Sequence, residues 1–263
     1  IDEAQKALQE MMLEKKFGDS GVKVIIEDFI EGKELSYMIL VDGMDYHSLP
    51  SSQDHKRLLD NDLGPNTGGM GAFSPSLLLN PDLETQIKQN IIQPTLAGLK
   101  ALNIHYRGFL YFGLMVKNNV PYLLEYNCRL GDPETEVILF RLKSDFAAHL
   151  QASFTQDFAK EDLAWDENAA LCVVVASQGY PEKPELGNEI FGLNEVCLQD
   201  NIKVFHAGTV TKDSKIFTQG GRVLCVTSQG ANISQARAVC YQAISAIHFK
   251  GMQFRKDIGV EKG

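Results

Sequence analysis

The chain has 263 residues, 44% hydrophobic and 22% charged, with a formal net charge of -9. That length supports one large domain or two smaller ones with real cores. The acidic balance argues against nucleic acid or an anionic membrane as the main partner, and no apolar run is long enough to span a bilayer or reads as a signal peptide.

The sequence opens IDEAQKALQEMM, without an initiator Met and already in helical rhythm, as expected of a segment from a longer protein. Ala4, Ala7, Leu8 and Met11 form one stripe, which predicts a helix from Asp2 to Lys16 stopped by Gly18-Asp19-Ser20-Gly21. VKVIIEDFI (22–30) predicts a strand that turns at Glu31-Gly32 into a second strand, GKELSYMILVDG. Gly64 to Pro75, GPNTGGMGAFSP, predicts a loop. A helix from Asp82 to about Leu102 follows, with Ile87, Ile91 and Leu99 near helical spacing. GFLYFGLMV and VPYLLEYN flank Lys117-Asn118-Asn119 and predict an antiparallel hairpin. Asp132 is placed to cap a helix with Pro133 at its first position and Ile138, Leu142, Phe146 and Leu150 on its apolar face. The polar stretch from Thr155 to Glu167 marks a boundary. Beyond it come short strands near 171–176, 203–210 and 222–227, a helix from about Ser234 to His248, and a closing GMQFRKDIG. The class is α+β with mostly antiparallel sheets.

The five cysteines, Cys128, Cys172, Cys197, Cys225 and Cys240, are odd in number and form no CxxC pair. They predict reduced thiols in a cytoplasmic protein. All but Cys128 lie in apolar stretches and read as small core residues; Cys128 is also expected to face the core, opposite its neighbours. The histidines form no HExxH and no zinc set, and His206 reads as a strand residue.

The chemistry concentrates in LLEYNCRLGDPE, residues 123–134. Glu125 and Asn127 are two apart on a strand and so point to one side. Both offer hard oxygen ligands of the kind magnesium takes, one or two from protein and the rest from water and phosphates. The plain alternative is two polar residues on a solvated strand face. Arg129 just beyond them is placed to stabilise charge on a transferring phosphoryl group, or to pair with Asp132 or Glu134. Glu27 and Glu34 could accept from an adenine amino group and a ribose diol, or be solvated acids on a hairpin. The glycine-rich loop lacks the GK[ST] ending of a P-loop, but its backbone N–H groups could converge on an anion. His55, Lys56 and Arg57 just before it are the nearest concentration of positive charge, and Arg222, Arg255 and Lys256 could reach a phosphate or be surface charges.

In order, SQDHKR…GPNTGGMGAFSP, YRGFLYFGLM, EYNCRLGDPETE, GGRVLCVT and FRKDIG closely resemble the phosphoribosylamine–glycine ligases (glycinamide ribonucleotide synthetases) of the ATP-grasp superfamily. The resemblance implies an ATP-grasp fold: the end of the nucleotide lobe (1–45), a central antiparallel-sheet domain with the metal site (46–153), and a small α+β C-terminal domain (165–263). It implies ATP-dependent joining of glycine to 5-phosphoribosylamine in purine biosynthesis. By position, Glu125 and Asn127 resemble the ligands of Mg2+ or Mn2+. Arg129 and Lys56 resemble catalytic residues. Glu27, Asp28, Phe29 and Ile30 resemble the adenine contact, and Glu34 the ribose contact. Asn66, Thr67, Gly68, Gly69, Met70 and Gly71, with Arg222 and Lys256, fall on the substrate side. Expected partners are the two small substrates, with no nucleic acid and no membrane, and fusion to or association with further purine-pathway enzymes is left open. The family pattern also has a long segment before residue 1, with a lysine and a glycine-rich loop over the phosphates, so these 263 residues alone are expected to turn over poorly or not at all. Gly113 stands where many ATP-grasp relatives place an acidic metal ligand. Another ATP-grasp ligase or carboxylase, or a non-catalytic interaction module, are the alternatives.

Overall fold

The computed structural model describes residues 2–16, 18–155, 158, 163–196 and 198–260. Two units result, residues 1–31 and residues 32–263. In the first, helix α1 (Asp2–Leu8) passes into a π-turn at Gln9–Leu13, shorter than the expected helix to Lys16. Lys16 folds back onto Glu10 at 2.6 Å. Residues 23–30 form no strand, and Ile25, Ile26 and Phe29 are 86%, 81% and 91% exposed. β-Branched residues favour a strand only where a neighbouring edge and a packing surface exist. No described strand pairs with this segment, so the expected hairpin through Glu31-Gly32 is absent.

The second unit begins with β1 (Lys33–Asp42), whose alternation serves two cores. Leu35, Tyr37, Ile39 and Val41 face one side, Met38 and Leu40 the other. β2 (Asp45–Ser48), β3 (Gln53–Asp54), β4 (Arg57–Leu59), β5 (Leu63–Asn66) and β6 (Gly71–Ser74) follow. The stretch expected as a loop, 64–75, is therefore paired at both ends, through β4–β5 and β3–β6. α2 (Pro81–Ile87), a π-turn at Lys88–Ile92 and α3 (Gln93–Ala101) make the expected helix. The Asn80 side chain caps it by accepting from the Leu83 N–H at 2.9 Å. β7 (Arg107–Lys117) and β8 (Val120–Asn127) form the expected hairpin. Asn118 and Asn119 take φ of 52° and 61°, the left-handed pair that a tight two-residue turn needs. The first sheet runs β2-β1-β7-β8, antiparallel throughout.

Two helices replace the one expected after Asp132: α4 (Glu134–Leu139) and α5 (Phe146–Ala152). Asp132 does not cap, because its carboxylate is taken by Arg222; Pro133 holds the N-cap position without a side-chain bond. Asp145 caps α5 instead, and Leu142 leaves the helix to bridge with Trp165. β9 (Ala169–Ala176), α6 (Leu193–Val196), β10 (Ile202–His206), β11 (Thr209–Lys212), β12 (Lys215–Thr218), β13 (Arg222–Gly230) and α7 (Ile233–Ala246) complete the order. The strand expected over 203–210 is split, since β11 leaves the sheet to pair with β12, which the pattern did not announce. The second sheet runs β10-β13-β9-β6-β3.

Apolar side chains place the sheets. One cluster lies between β1–β7 and α2–α3, a second between β9–β13 and α7. The third holds the two sheets together: Met38, Leu40 and Tyr111 from the first, Ala72, Cys172, Val174 and Cys225 from the second, and Val137 and Ile138 from α4. Each fully buried large aliphatic side chain there contributes roughly 1.5–3 kcal/mol. A backbone bridge between Ser36 and Ser52, at 2.9 and 3.1 Å, ties β1 to the segment leading into β3. Strand pairing crosses both expected domain divisions, β1 with β2 at 45/46 and β6 with β9 between 153 and 165. Cys172, Cys225 and Cys240 are buried free thiols, as expected; Cys197 and much of 155–167 lie outside the described residues. Among the described residues no helix is long and apolar enough to cross a membrane.

Candidate active site

Register sets the site. Ser36, Gly113 and Glu125 stand abreast across β1, β7 and β8, and Met38, Tyr111 and Asn127 form the next row. Along β8, Leu123 pairs with Leu114 but Glu125 pairs with Gly113, so Leu124 is a one-residue bulge. Leu123 packs with the α2–α3 cluster; the bulge turns Glu125 and Asn127 to the opposite face, over Tyr111 and Gly113. A Cβ on Gly113 would lie 2.8 Å from Glu125 Cγ and 3.4 Å from Tyr111 Cε1. The missing side chain at Gly113 is thus the space the Glu125 stem occupies. A carboxylate and an amide oxygen on one face are a hard-donor pair, and no hydrogen bond or ion pair among the described residues engages either. Among the described residues no group of three or more His, Cys, Asp or Glu gathers as a metal cage. The residues present fit a divalent cation that takes its other ligands from phosphates and water.

Beneath this face lies a chain of hydrogen bonds that the sequence did not announce. Glu134, 2% exposed, accepts from Ser36 Oγ at 2.8 Å, and Ser36 Oγ lies 3.0 Å from the Tyr111 hydroxyl. Burial pushes the Glu134 carboxyl and the Tyr111 hydroxyl up. Burial also pushes Asp54 well up, with the Glu134 charge adding to it, and Asp54 Oδ1 is buried without a partner. Lys56 Nζ pairs with Glu34 at 2.8 Å. Burial opposes the Lys56 charge, but Glu34, Asp54 and Glu125 outweigh it and hold the ammonium above its ordinary value. A cavity of about 150 Å³ gathers Glu34, Lys56, Tyr111, Gly113 and Glu125; a larger one of about 620 Å³ is lined by Glu34, Asp54, His55, Lys56 and Asn66 among others.

The glycine-rich segment is not a ring of free amides. The Thr67 N–H donates to the Lys56 carbonyl at 2.8 Å, Gly68 to the Tyr180 hydroxyl at 3.0 Å, Gly69 to Thr67 Oγ1 at 3.1 Å, and Met70 to the His55 carbonyl at 2.8 Å. Met70 is fully buried, which leaves its side chain no surface for a substrate, and Gly71 is buried at the start of β6. Gly69 holds φ of 107°, with no room for a Cβ against Pro133 Cδ at 2.4 Å. Asn66 lines the larger cavity, and Gly68 is exposed.

Arg222 spends its guanidinium on Asp132, at 2.6 and 2.9 Å, and on the Gly68 carbonyl at 2.7 Å, rather than standing free for a phosphate. Arg129 is exposed, donates to the Leu130 carbonyl, and pairs with neither Asp132 nor Glu134. Cys128 is exposed, because β8 ends at Asn127 and strand alternation stops there. His55 is not a positive charge: burial, with the Arg255 guanidinium, lowers it to about 4. Arg255 is buried between Asp62 and Asp257, at 2.8 and 2.7 Å. The exposed Lys256 uses its backbone N–H on Asp60 at 2.7 Å. Glu27, Asp28 and Phe29 are exposed and Ile30 half-buried, within residues 1–31.

The two stacked antiparallel layers have solved counterparts. A biotin carboxylase domain of a thermophilic 2-oxoglutarate carboxylase matches with a TM-score of 0.65 at 15% identity, covering 96% of this chain and 55% of that one, a likeness of fold alone. The crystal structure of phosphoribosylamine–glycine ligase from Thermotoga maritima matches with a TM-score of 0.79 at 39% identity, covering 88% of this chain and 56% of that one. The class is ATP-grasp. Residues 1–135 match the family model for the phosphoribosylglycinamide synthetase ATP-grasp (A) domain, and residues 170–261 match that for the C domain. The chain belongs to the phosphoribosylglycinamide synthetase family. The phosphoribosylamine–glycine ligase of Neisseria meningitidis serogroup B is 45% identical over 260 residues; the match takes in 98% of this chain and 61% of that protein. The chain thus spans about three-fifths of the length of the curated relatives it matches.

Proposed function

We propose that this chain is part of a ligase that joins glycine to 5-phosphoribosylamine at the expense of ATP, giving glycinamide ribonucleotide, ADP and phosphate in purine biosynthesis, and that these 263 residues alone turn over poorly or not at all. The observation that carries this is the convergence of Glu125, Lys56 and Glu34 on one cavity beside the Gly113 gap, in a chain of this family. The chemistry calls for such a place. A carboxylate resists an amine because it has no leaving group. Transfer of the terminal phosphoryl group to glycine gives an acyl phosphate. The amine of phosphoribosylamine then attacks the carbonyl, and phosphate leaves.

Glu125 and Asn127 would hold Mg2+ or Mn2+, which would supply charge neutralisation at the phosphates. Lys56 steadies negative charge on the substrate side, and its pair with Glu34 keeps it protonated. Arg129, exposed and without an acid partner among the described residues, is the second group for the transferring phosphoryl. Glu34 is assigned to the ribose; Glu27 and the backbone of Asp28, Phe29 and Ile30 to the adenine. The segment from Asn66 to Gly69 shapes the substrate wall, with Arg222 bracing it. Lys256 is the remaining cation for the ribose phosphate.

Calorimetric titration of magnesium-ATP tests the core of this. Binding should depend on the metal, and Glu125→Ala should abolish that dependence. Metal-independent binding in both forms would count against the assignment. In the full-length protein, ADP release that requires both glycine and the amine, and fails with bicarbonate or formate, separates this ligase from a carboxylating relative. The reverse preference would overturn it.

A further inference from the structure

We propose that Glu134 is a positioning residue for the cation site: through Ser36 and Tyr111 it fixes where the Glu125 carboxylate stands. This rests on Glu125 and Asn127 holding the cation. Among the described residues no hydrogen bond joins Glu134 to either of them, and its route runs through Ser36 and Tyr111. Its carboxylate folds back over Gly131, where a Cβ would lie 2.6 Å from Glu134 Cδ. There it accepts from Ser36 Oγ at 2.8 Å, and Ser36 Oγ holds the Tyr111 hydroxyl at 3.0 Å. The Tyr111 ring edge and the Glu125 stem then share the space above Gly113, at 3.4 and 2.8 Å from its absent Cβ. Ser36 and Tyr111 also sit in the same two rows as Glu125 and Asn127. A side chain 2% exposed, hydrogen-bonded and without a cationic hydrogen-bond partner is costly to keep unless it orders something. Outer partners of metal ligands typically carry about 10–100-fold in metal affinity.

The test is titration of Mn2+ into the protein with a non-hydrolysable ATP analogue, followed by loss of the free-Mn2+ EPR signal. Glu134→Ala should weaken Mn2+ binding about tenfold. Glu134→Gln keeps an oxygen that accepts from Ser36 and should stay within about twofold of wild type. Unchanged affinity in Glu134→Ala overturns the proposal. So does an equal loss in Glu134→Gln, which would mark a charge effect rather than positioning. If Glu134→Ala does not fold, Tyr111→Phe cuts the same route while keeping the ring; a several-fold loss supports the proposal and wild-type affinity overturns it. Glu125→Ala is the control: if it binds Mn2+ as wild type does, or if wild type binds none, the cation assignment itself fails and the proposal with it.

Discussion

Gly113 lets the Glu125 stem lie flat on the sheet. Alanine there would place a methyl group 2.8 Å from Glu125 Cγ, so the flexible stem and not the backbone must give way. Gly113→Ala should therefore leave thermal stability nearly unchanged and weaken metal-dependent nucleotide binding about tenfold, as read by calorimetry. His55 makes a pH prediction. It is held near 4 against an ordinary 6.5, so between those values the unfolded chain binds a proton that the folded chain refuses. Its contribution is whole above about 6.5 and falls as pH drops towards 4, by up to about 3 kcal/mol. His55→Gln should flatten that part of a plot of urea midpoint against pH; an unchanged slope would show that His55 titrates freely. At this scale the sequence disclosed Glu125 and Asn127, because an alternating carboxylate and amide at a strand end is a local pattern. It hid Glu134 and Asp54. One stood at a helix start and the other carried no pattern of its own within SQDHKR, and contacts distant in sequence bury their carboxylates.

Among the elements, the hairpin of β7 and β8 and the helix over 81–101 were legible because turn residues and apolar spacing are written locally. The bulge at Leu124 was not: nothing in VPYLLEYN says which residue lacks a partner. Residues 22–30 were misread for the complementary reason, since strand character without a neighbour leaves exposed coil. The segment from Asn66 to Gly69, proposed as the substrate wall, depends on a clamp from another element. Arg222, on β13, grips Asp132 with two bonds and the Gly68 carbonyl with a third. This pair is partly exposed, so its loss should cost about 1 kcal/mol or less. Lysine cannot reproduce the two-pronged grip. Arg222→Lys should leave the melting temperature within a few degrees and raise KM for the phosphoribosyl substrate several-fold more than it lowers kcat. A pure loss of kcat would place Arg222 at the chemistry instead of at the wall.

Over the whole chain, long-range ties decide whether the site is complete. Arg255 is buried with Asp62 and Asp257, donates to the Arg57 carbonyl at 3.2 Å, and so fastens the last strand-like residues to the hairpin after Lys56. Arg255→Met would leave Asp257 without its guanidinium and should cost about 3 kcal/mol, measurable as a lower urea midpoint. A shift smaller than a tenth of that would mean the tie is ornamental. The sequence left Arg255 as a phosphate contact or a surface charge, because the RKD triplet shows Asp257 beside it but not the distant Asp62. That second partner is far away in synthesis: the Arg255–Asp62 bond spans 193 positions. A ribosome releasing this polypeptide makes Lys56 and its flanking hairpin long before it makes their anchor. The nascent chain must therefore carry an unfinished pocket until Arg255 has emerged from the exit tunnel.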